Sequence, residues 1–329
     1  VSYLHFNTVT ILSSYGDTSK EEFDSYVKVV DEMFGRYHKL FDIYFEYAGV
    51  NNIKTINKRA GEEPIVVDAE LVDFLLYCKE LYTLTNGKTN VMLGSVLSIW
   101  HDARETANER GGVLNTDEFP SMSALFEANQ YTSIDALVID KEAKTVFLSD
   151  SKASIDVGAI AKGYAAAKVA QKLKDMGADS MALNAGGNII TIGLKPGGSK
   201  WVTGITNPDK TAANSFACRV EIEETSLVTS GDYEKYFEED GVRYHHILNA
   251  KTGYPCDTDL LQVTIISKES GTGDALSTSC FALGLEKGME LIDSLPDVYA
   301  VFITSDGKLH FSEILRHLSL HGRFQEDRH

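Results

Sequence analysis

The chain has 329 residues, 43% of them hydrophobic, and a formal net charge of -17 at pH 7. This length suits one large domain or two modest ones, and the composition is that of an ordinary globular protein. The acid excess excludes nucleic acid as an expected partner, because a phosphate backbone would be repelled, and any phosphate-bearing ligand would need a metal, Lys or backbone N–H groups to hold it.

In chain order, residues 4–15 alternate apolar and polar side chains (Leu4, Phe6, Thr8, Thr10, Leu12) and read as a strand. Residues 20–45 carry Phe23, Tyr26, Val30, Phe34, Tyr37 and Phe41 at spacings of three and four, which predicts a long amphipathic helix. A second helix is predicted over 68–86, with Asp68 as N-cap, Leu71, Leu75 and Tyr82 on one face, and Asn86-Gly87 as the stop. Residues 91–130 are mixed, with a short helix over 121–129. Ile134 to Ile139 and Thr145 to Leu148 form a hairpin around Asp140-Lys141, and Ile160 to Met176 is a helix ended by Gly177.

Strands then dominate, over 181–184, 189–193, 201–206, 216–222, 227–230, 244–248 and 262–266. A helix carrying Asp274 follows the turn-like run Ser270-Gly271-Thr272-Gly273, which places Asp274 at the helix entrance. Another helix near 286–295 precedes a closing hairpin, Val298 to Thr304 and Leu309 to Phe311 about Asp306-Gly307. Because strands and helices come in blocks, the fold class is α+β, not a doubly wound sheet. Residues 4–312 read as a single domain, with room for two intimately packed subdomains, and 313–329 as a polar, loose tail carrying His317, His321 and His329.

The four cysteines are scattered, with no CxxC or Cys/His cluster to suggest zinc, and Cys280 sits in an apolar context that reads as core. No apolar run approaches the ~20 residues of a membrane span. The sequence opens at Val1 without Met and without a basic-then-apolar leader, as in a processed or trimmed chain.

Five segments carry chemistry. Asp274 and Thr278 are four apart, so a helix puts a carboxylate and a hydroxyl on one face, a pair suited to a hard cation such as Mg2+; an Asp before a helix is also an ordinary cap. Asp156-Val157-Gly158-Ala159-Ile160-Ala161-Lys162-Gly163 brings small residues and Lys162 to a helix start, where free N–H groups suit an anion or where the glycines simply allow close packing. Asn184-Ala185-Gly186-Gly187-Asn188 is a tight turn or a backbone lip for a nucleotide, without the GxGxxG order. His245-His246 on a strand would put one ring on each face, one structural and one available as a general base. Tyr44, Phe45 and Tyr47 are core or a stacking platform for a flat heterocycle.

In this order, DVGAIAKGYA, NAGGNI, TSGDYEKYF, HHILNAKTGYP and DALSTSCFALG resemble the ApbE-like family of FAD:protein FMN transferases, over almost the whole chain from about Phe6 to Phe311. The resemblance implies a T-fold-like α+β architecture of mixed or antiparallel sheets with packed helices. It implies a Mg2+-dependent transferase that splits the FAD pyrophosphate, releases AMP and places FMN on a Thr or Ser hydroxyl of an acceptor protein. By position, Asp274 and Thr278 resemble side-chain metal ligands, Ala159 a backbone-carbonyl ligand, and Ser277 a further contributor. Asp156, Lys162, Phe6, Lys88, Thr89, Asn90 and Ile247 match FAD-contacting positions, Tyr44 the aromatic that stacks on the flavin, and His246 the general base. An extracytoplasmic location, reached through a membrane anchor upstream of Val1, is also implied. The same motifs admit an FAD pyrophosphatase or a non-catalytic flavin-binding protein. Three segments depart from the family. Phe6-Asn7-Thr8 stands where Met-Gly-Thr is more frequent, Gly87-Lys88-Thr89-Asn90-Val91-Met92 where Gly-x-Phe-Asp-x-Thr is common, and Asn188 where Asp is frequent.

Overall fold

The computed structural model describes residues 2–112, 114–115, 118–231, 236–239, 242–313, 315 and 324–326. Two compact units share the chain discontinuously: unit 1 takes Val1–Tyr37, Ile160–Gly231 and Thr258–His329, and unit 2 takes His38–Ala159 and Asp232–Asp257. The elements begin β1 (Ser2–His5), β2 (Thr8–Ser14), α1 (Lys20–Phe41), α2 (Ile53–Lys58), β3 (Ile65–Val66), α3 (Ala69–Leu84), α4 (Gly94–Glu109) and α5 (Met122–Asn129). They continue with β4 (Leu137–Asp140), β5 (Thr145–Leu148), α6 (Ala161–Asp175), β6 (Ser180–Ala185), β7 (Asn188–Gly193), β8 (Trp201–Thr206), β9 (Phe216–Ile222) and β10 (Ser226–Gly231). The last are β11 (Tyr236–Glu239), β12 (Val242–His245), β13 (Leu260–Ser267), α7 (Ser270–Leu283), α8 (Leu285–Asp293), β14 (Tyr299–Thr304), β15 (Leu309–Phe311) and β16 (Phe324–Glu326). The α+β class follows directly, with antiparallel sheets and packed helices.

Unit 1 is built on an eight-stranded sheet in the order β1-β2-β6-β7-β10-β13-β14-β15, antiparallel throughout. Side chains alternate across it. Val228 and Ser230 of β10 face α7, while Leu227 joins Ile266 and Val301 against Trp201, Ile205, Val220 and Ile222 of β8 and β9. Helix α7 lies against α6, β7, β10 and β13, so it is buried on nearly all sides.

The first strand expected over 4–15 is instead a hairpin. Phe6 and Asn7 both have positive φ (54° and 55°) and form a two-residue turn between paired His5 and Thr8. Asn is the residue best suited to that conformation after Gly, so Asn7 suits the turn; a bulky Phe there is a true outlier. Gly186-Gly187 is the matching turn of the β6–β7 hairpin, with φ of 58° and 95° between paired Ala185 and Asn188. The two turns lie side by side: Gly186 N–H donates to Val9 O at 3.1 Å, and a Cβ on Gly186 would overlap Thr8 Oγ1.

In unit 2, β3, β5 and β4 form a three-stranded antiparallel sheet in that order, and β11 and β12 a separate hairpin. Helix α3 starts and stops where expected: Asp68 caps it by accepting from Glu70 N–H at 2.9 Å, and Asn86 and Gly87 leave it in left-handed conformations. Helix α4 was not expected within the mixed 91–130 stretch. Its N-cap, Leu93, makes no side-chain cap, so the local start signal is missing. An aromatic cluster of Trp100, Phe119, Phe237, Tyr244 and Tyr254 fills the core beneath it, with Phe237 and Tyr244 stacked at 5.3 Å.

The amphipathic stripe of α1 is realised: Tyr26, Val30, Phe34, Tyr37 and Phe41 are all buried. All four cysteines are buried and outside any disulfide, Cys280 fully buried, as its apolar context implies. Asp232 and Tyr233 of the TSGDYEKYF motif lie outside the described residues, as does most of the tail. Within the tail, β16 pairs antiparallel with β9.

Gly186→Ala should destabilise the fold by about 2–5 kcal/mol, since a left-handed Ala costs ~1–2 and overpacking adds ~1–3. Urea unfolding should show a lower midpoint with an unchanged slope; an unaltered midpoint would mean the turn relaxes freely.

Candidate active site

In unit 1 the expected metal-binding residues lie on α7. Its run Ser270 to Gly273 is already helical, so Asp274 sits in the second turn and not at the entrance. Helix α7 begins early because it is packed into the core, where the glycines cost little entropy relative to the contacts they permit. The Asp274 side chain does cap a helix, but a different one: Oδ2 accepts from Gly163 N–H at 2.6 Å, in the first turn of α6. The residue preceding α6, Ile160, supplies no side-chain cap, so this carboxylate satisfies a donor the helix would otherwise leave open. A Cβ on residue 163 would lie 2.7 Å from Asp274 Oδ2 and would overlap Ser270 O, which is why the position is Gly.

The surroundings of Asp274 are polar for so buried a place. Ser270, Asp274, Ser277 and Ser279 are all less than a tenth exposed. Ser277 Oγ donates to Asp274 O at 2.9 Å and pairs with Ser230 Oγ at 2.7 Å, which turns it towards β10. Asn188 is buried, and its amide reaches Ser270 Oγ at a long 3.5 Å. Thr278, one turn after Asp274, is half-buried, and Lys162 stands half-buried in the first turn of α6. Phe6, at the strained turn, packs edge-on against Phe34 at 6.3 Å.

Among the described residues no group of three or more His, Cys, Asp or Glu side chains could hold a metal ion. The expected donor set is of another kind: one carboxylate, hydroxyls and a carbonyl, all oxygen. Such a set fits Mg2+, which takes one or two protein carboxylates and completes its shell with water and substrate phosphates. The Asp274 carboxylate, held by Gly163 N–H, is the hard oxygen donor that such a set requires.

In unit 2 the aromatic stretch is shaped by a residue that sequence reasoning passed over. The buried Asp42 carboxylate accepts from Tyr44 N–H (2.7 Å), Phe45 N–H (3.1 Å) and Tyr47 O–H (2.7 Å). The loop therefore turns outwards, leaving Tyr44 and Phe45 exposed. Behind Tyr44 stands His101 of α4 at 5.1 Å between rings, and Arg104 donates to His101 Nδ1 at 2.8 Å. Partial loss of hydration, followed by the negative charge of Asp156, pushes the Tyr44 phenol above its usual range, so it is neutral at physiological pH. An Asp just before three aromatics, and a His-Asp-Ala-Arg run after Trp100, were the available signals for Asp42 and His101.

The other expected contacts are placed as follows. Asn90 donates to Thr132 O at 2.9 Å and accepts from Met92 N–H at 2.9 Å, so its amide braces a loop. Thr89 is buried and Lys88 half-buried, close enough to Cys256 for its charge to act on that thiol. Asp156 Oδ1 accepts from Gly158 N–H at 2.8 Å, a turn that exposes Gly158 and leaves Ala159 half-buried at the end of the unit. The histidine pair does not lie wholly on a strand: β12 ends at His245, and His246 is the first residue beyond it. His245 is buried, His246 half-buried, and the Ile247 side chain is in the core.

Residues 6–303 match the ApbE family. The chain is 35% identical over 268 residues to an FAD:protein FMN transferase of Treponema pallidum, covering 79% of this chain and 72% of the relative. It is 30% identical over 280 residues to an FAD:protein FMN transferase of Klebsiella pneumoniae, covering 84% and 83%. The crystal structure of the ApbE protein from Thermotoga maritima superposes with a TM-score of 0.81 at 26% identity, covering 96% of this chain and 97% of that one.

Tyr47 gives a pH test of the Asp42 loop. Burial first, then the Asp42 carboxylate, pushes its phenol up to about 12. An unfolded Tyr ionises near ~10, so the folded form holds its proton longer; this contribution is complete below pH ~10 and is lost as pH rises towards ~12. Urea unfolding between pH 9 and 11 should show stability falling less steeply in Tyr47→Phe than in the wild type. Equal slopes would mean that Tyr47 contributes nothing in that window.

Proposed function

The chain belongs to the ApbE family, and we propose that it is an FAD:protein FMN transferase that uses Mg2+ to attach FMN through a phosphoester to a Thr or Ser of an acceptor protein, releasing AMP. The observation that carries the reading is the fixed carboxylate of Asp274, held by Gly163 N–H on a buried polar helix with Thr278 one turn on. Asp274 and Thr278 would hold the cation, with the Ala159 carbonyl and Ser277 as the further contributors that the family resemblance assigns. When bound, the cation would neutralise the pyrophosphate and stabilise charge on the departing AMP phosphate.

The remaining work falls to this chain's own groups. Tyr44, neutral and backed by His101, offers a ring for the flavin to stack on. Lys162 and the first-turn amides of α6 suit phosphate oxygens. Phe6, Lys88, Thr89, Asn90, Asp156 and Ile247 complete the FAD contacts that the family resemblance assigns. His246 takes the proton of the acceptor hydroxyl on a ring nitrogen. The hydroxyl oxygen forms a bond to the FMN-side phosphorus, and the bond from that phosphorus to the bridging oxygen breaks, that oxygen leaving on AMP with the electron pair.

The acceptor and the place of work belong to the same proposal. An extracytoplasmic position through a membrane anchor rests on the family resemblance; among the described residues no helix is long and apolar enough to cross a membrane.

Incubation of the protein with FAD, Mg2+ and a flavin-acceptor protein should give covalent flavin fluorescence on the acceptor, and chelation of the metal should abolish it. Free FMN with an unlabelled acceptor would identify a pyrophosphatase, and intact FAD a binding protein. Asp274→Asn keeps an acceptor for Gly163 N–H but removes the charge. It should melt near the wild type yet lose transfer at least ~100-fold, the scale of a lost transition-state contact; undiminished transfer would refute the metal role. His246→Ala should slow transfer ~100- to 10,000-fold with FAD affinity little changed. Weakened binding with normal turnover would count against a base.

A further inference from the structure

We propose that His245 is a positioning residue for His246, gripping the peptide that follows it. This rests on the reading of His246 as general base. The imidazole of His245 accepts from Ile247 N–H at Nδ1 (3.2 Å) and donates from Nε2 to Cys256 O (3.1 Å). An amide N–H can only donate and a carbonyl only accept, so the two bonds together fix one neutral tautomer, protonated at Nε2. The ring is 7% exposed, and both its nitrogens are directed onto main chain, one of them onto the peptide immediately after His246.

The grip closes on itself. Cys256 N–H donates to Ile247 O at 2.9 Å, so residue 256 is bonded both to the backbone at 247 and to the ring at 245. The loop between is stiff: Leu248 bridges Pro255, Asn249 N–H donates to Tyr254 O at 2.8 Å, and Trp100 Nε1 donates to Gly253 O at 2.7 Å. On the other side, His245 is the last residue of β12, in register with Tyr236 of β11. His246 thus sits where a strand ends and a pinned loop begins, and the side chain that joins the two is that of His245. A base displaced by about 1 Å forfeits on the order of 100-fold in rate, which makes such a fixture consequential.

The test uses the full chain with FAD, Mg2+ and an acceptor protein, at a temperature where melting curves show each variant folded. Asn places its carbonyl where Nδ1 stands, and Gln places its amide nitrogen near Nε2. His245→Ala should lower kcat about 10- to 100-fold while KM for FAD moves less than ~3-fold, as expected when alignment and not binding is lost. His245→Asn should recover most of that loss by keeping the bond to Ile247, and His245→Gln should recover less. Hydrogen exchange at the Ile247 amide should quicken in the Ala and Gln variants and stay slow in the Asn variant. If the Asn and Gln variants are equally impaired, or activity merely follows melting temperature, His245 is structural only. If His246→Ala is crippled but all three His245 variants turn over normally, the positioning inference alone falls. Full transfer by His246→Ala would strike the base assignment, and the exchange rates would still report whether the grip exists.

Discussion

One hydrogen bond governs the chemistry open to unit 1: Gly163 N–H to the Asp274 carboxylate. It answers two needs at once. Helix α6 starts without a side-chain cap of its own, and an uncapped buried helix end leaves donors unsatisfied. A buried carboxylate, for its part, is costly unless paired. Placing the negative group at the positive end of α6 resolves both, because the partial charges there favour an anion. The arrangement tolerates no side chain at residue 163, so a glycine on one helix and an aspartate 111 positions later are a single structural device. The bland reading of Asp274 as a cap and the sharper reading as a ligand are therefore compatible, since a carboxylate that accepts one N–H remains an oxygen donor.

Long amphipathic elements were legible because their signals are local and redundant. The stripe of α1 and the Asp68 cap and Asn86-Gly87 stop of α3 each follow from a few neighbouring residues. Strands β8 and β9 were read at their observed bounds for the same reason. What escaped was set by tertiary partners. Helix α4 begins without a capping side chain. Helix α7 begins four residues before Asp274 because packing overrides the turn propensity of Ser-Gly-Thr-Gly. The Phe6-Asn7 turn carries no Gly, so its hairpin looks like one continuous strand. In the site, residue types at the motif positions were visible; Asp42 acts through local bonds that its place before three aromatics signals, whereas the Gly163–Asp274 bond spans 111 positions and no local spacing encodes it.

A protein of net charge -17 that binds a dinucleotide must offset its own field locally. The observed arrangement offers two sources near the start of α6: the first-turn amides other than that of Gly163, which Asp274 takes, and the Lys162 ammonium. Neither requires a basic patch, which agrees with the acid excess being spread over solvated surface. The Tyr44 ring contributes no charge, since its phenol stays protonated, so stacking there would add area and shape without repelling phosphate.

The adjacent histidines show how main chain, not residue type, divides labour. Strand alternation predicts opposite faces for 245 and 246, yet the strand stops at 245, and alternation alone no longer separates them. The separation comes from bonding. For His245 to accept a proton, Nδ1 would have to surrender the Ile247 N–H, leaving a buried donor unsatisfied at a cost of about 1–3 kcal/mol. That penalty opposes a base role for His245 and supports the role of a fixture. His246 is half-buried and is the first residue beyond the strand that ends at His245. Proton transfer and alignment can then reside in neighbouring residues of the same kind, the aligning one set apart by the backbone groups its ring serves.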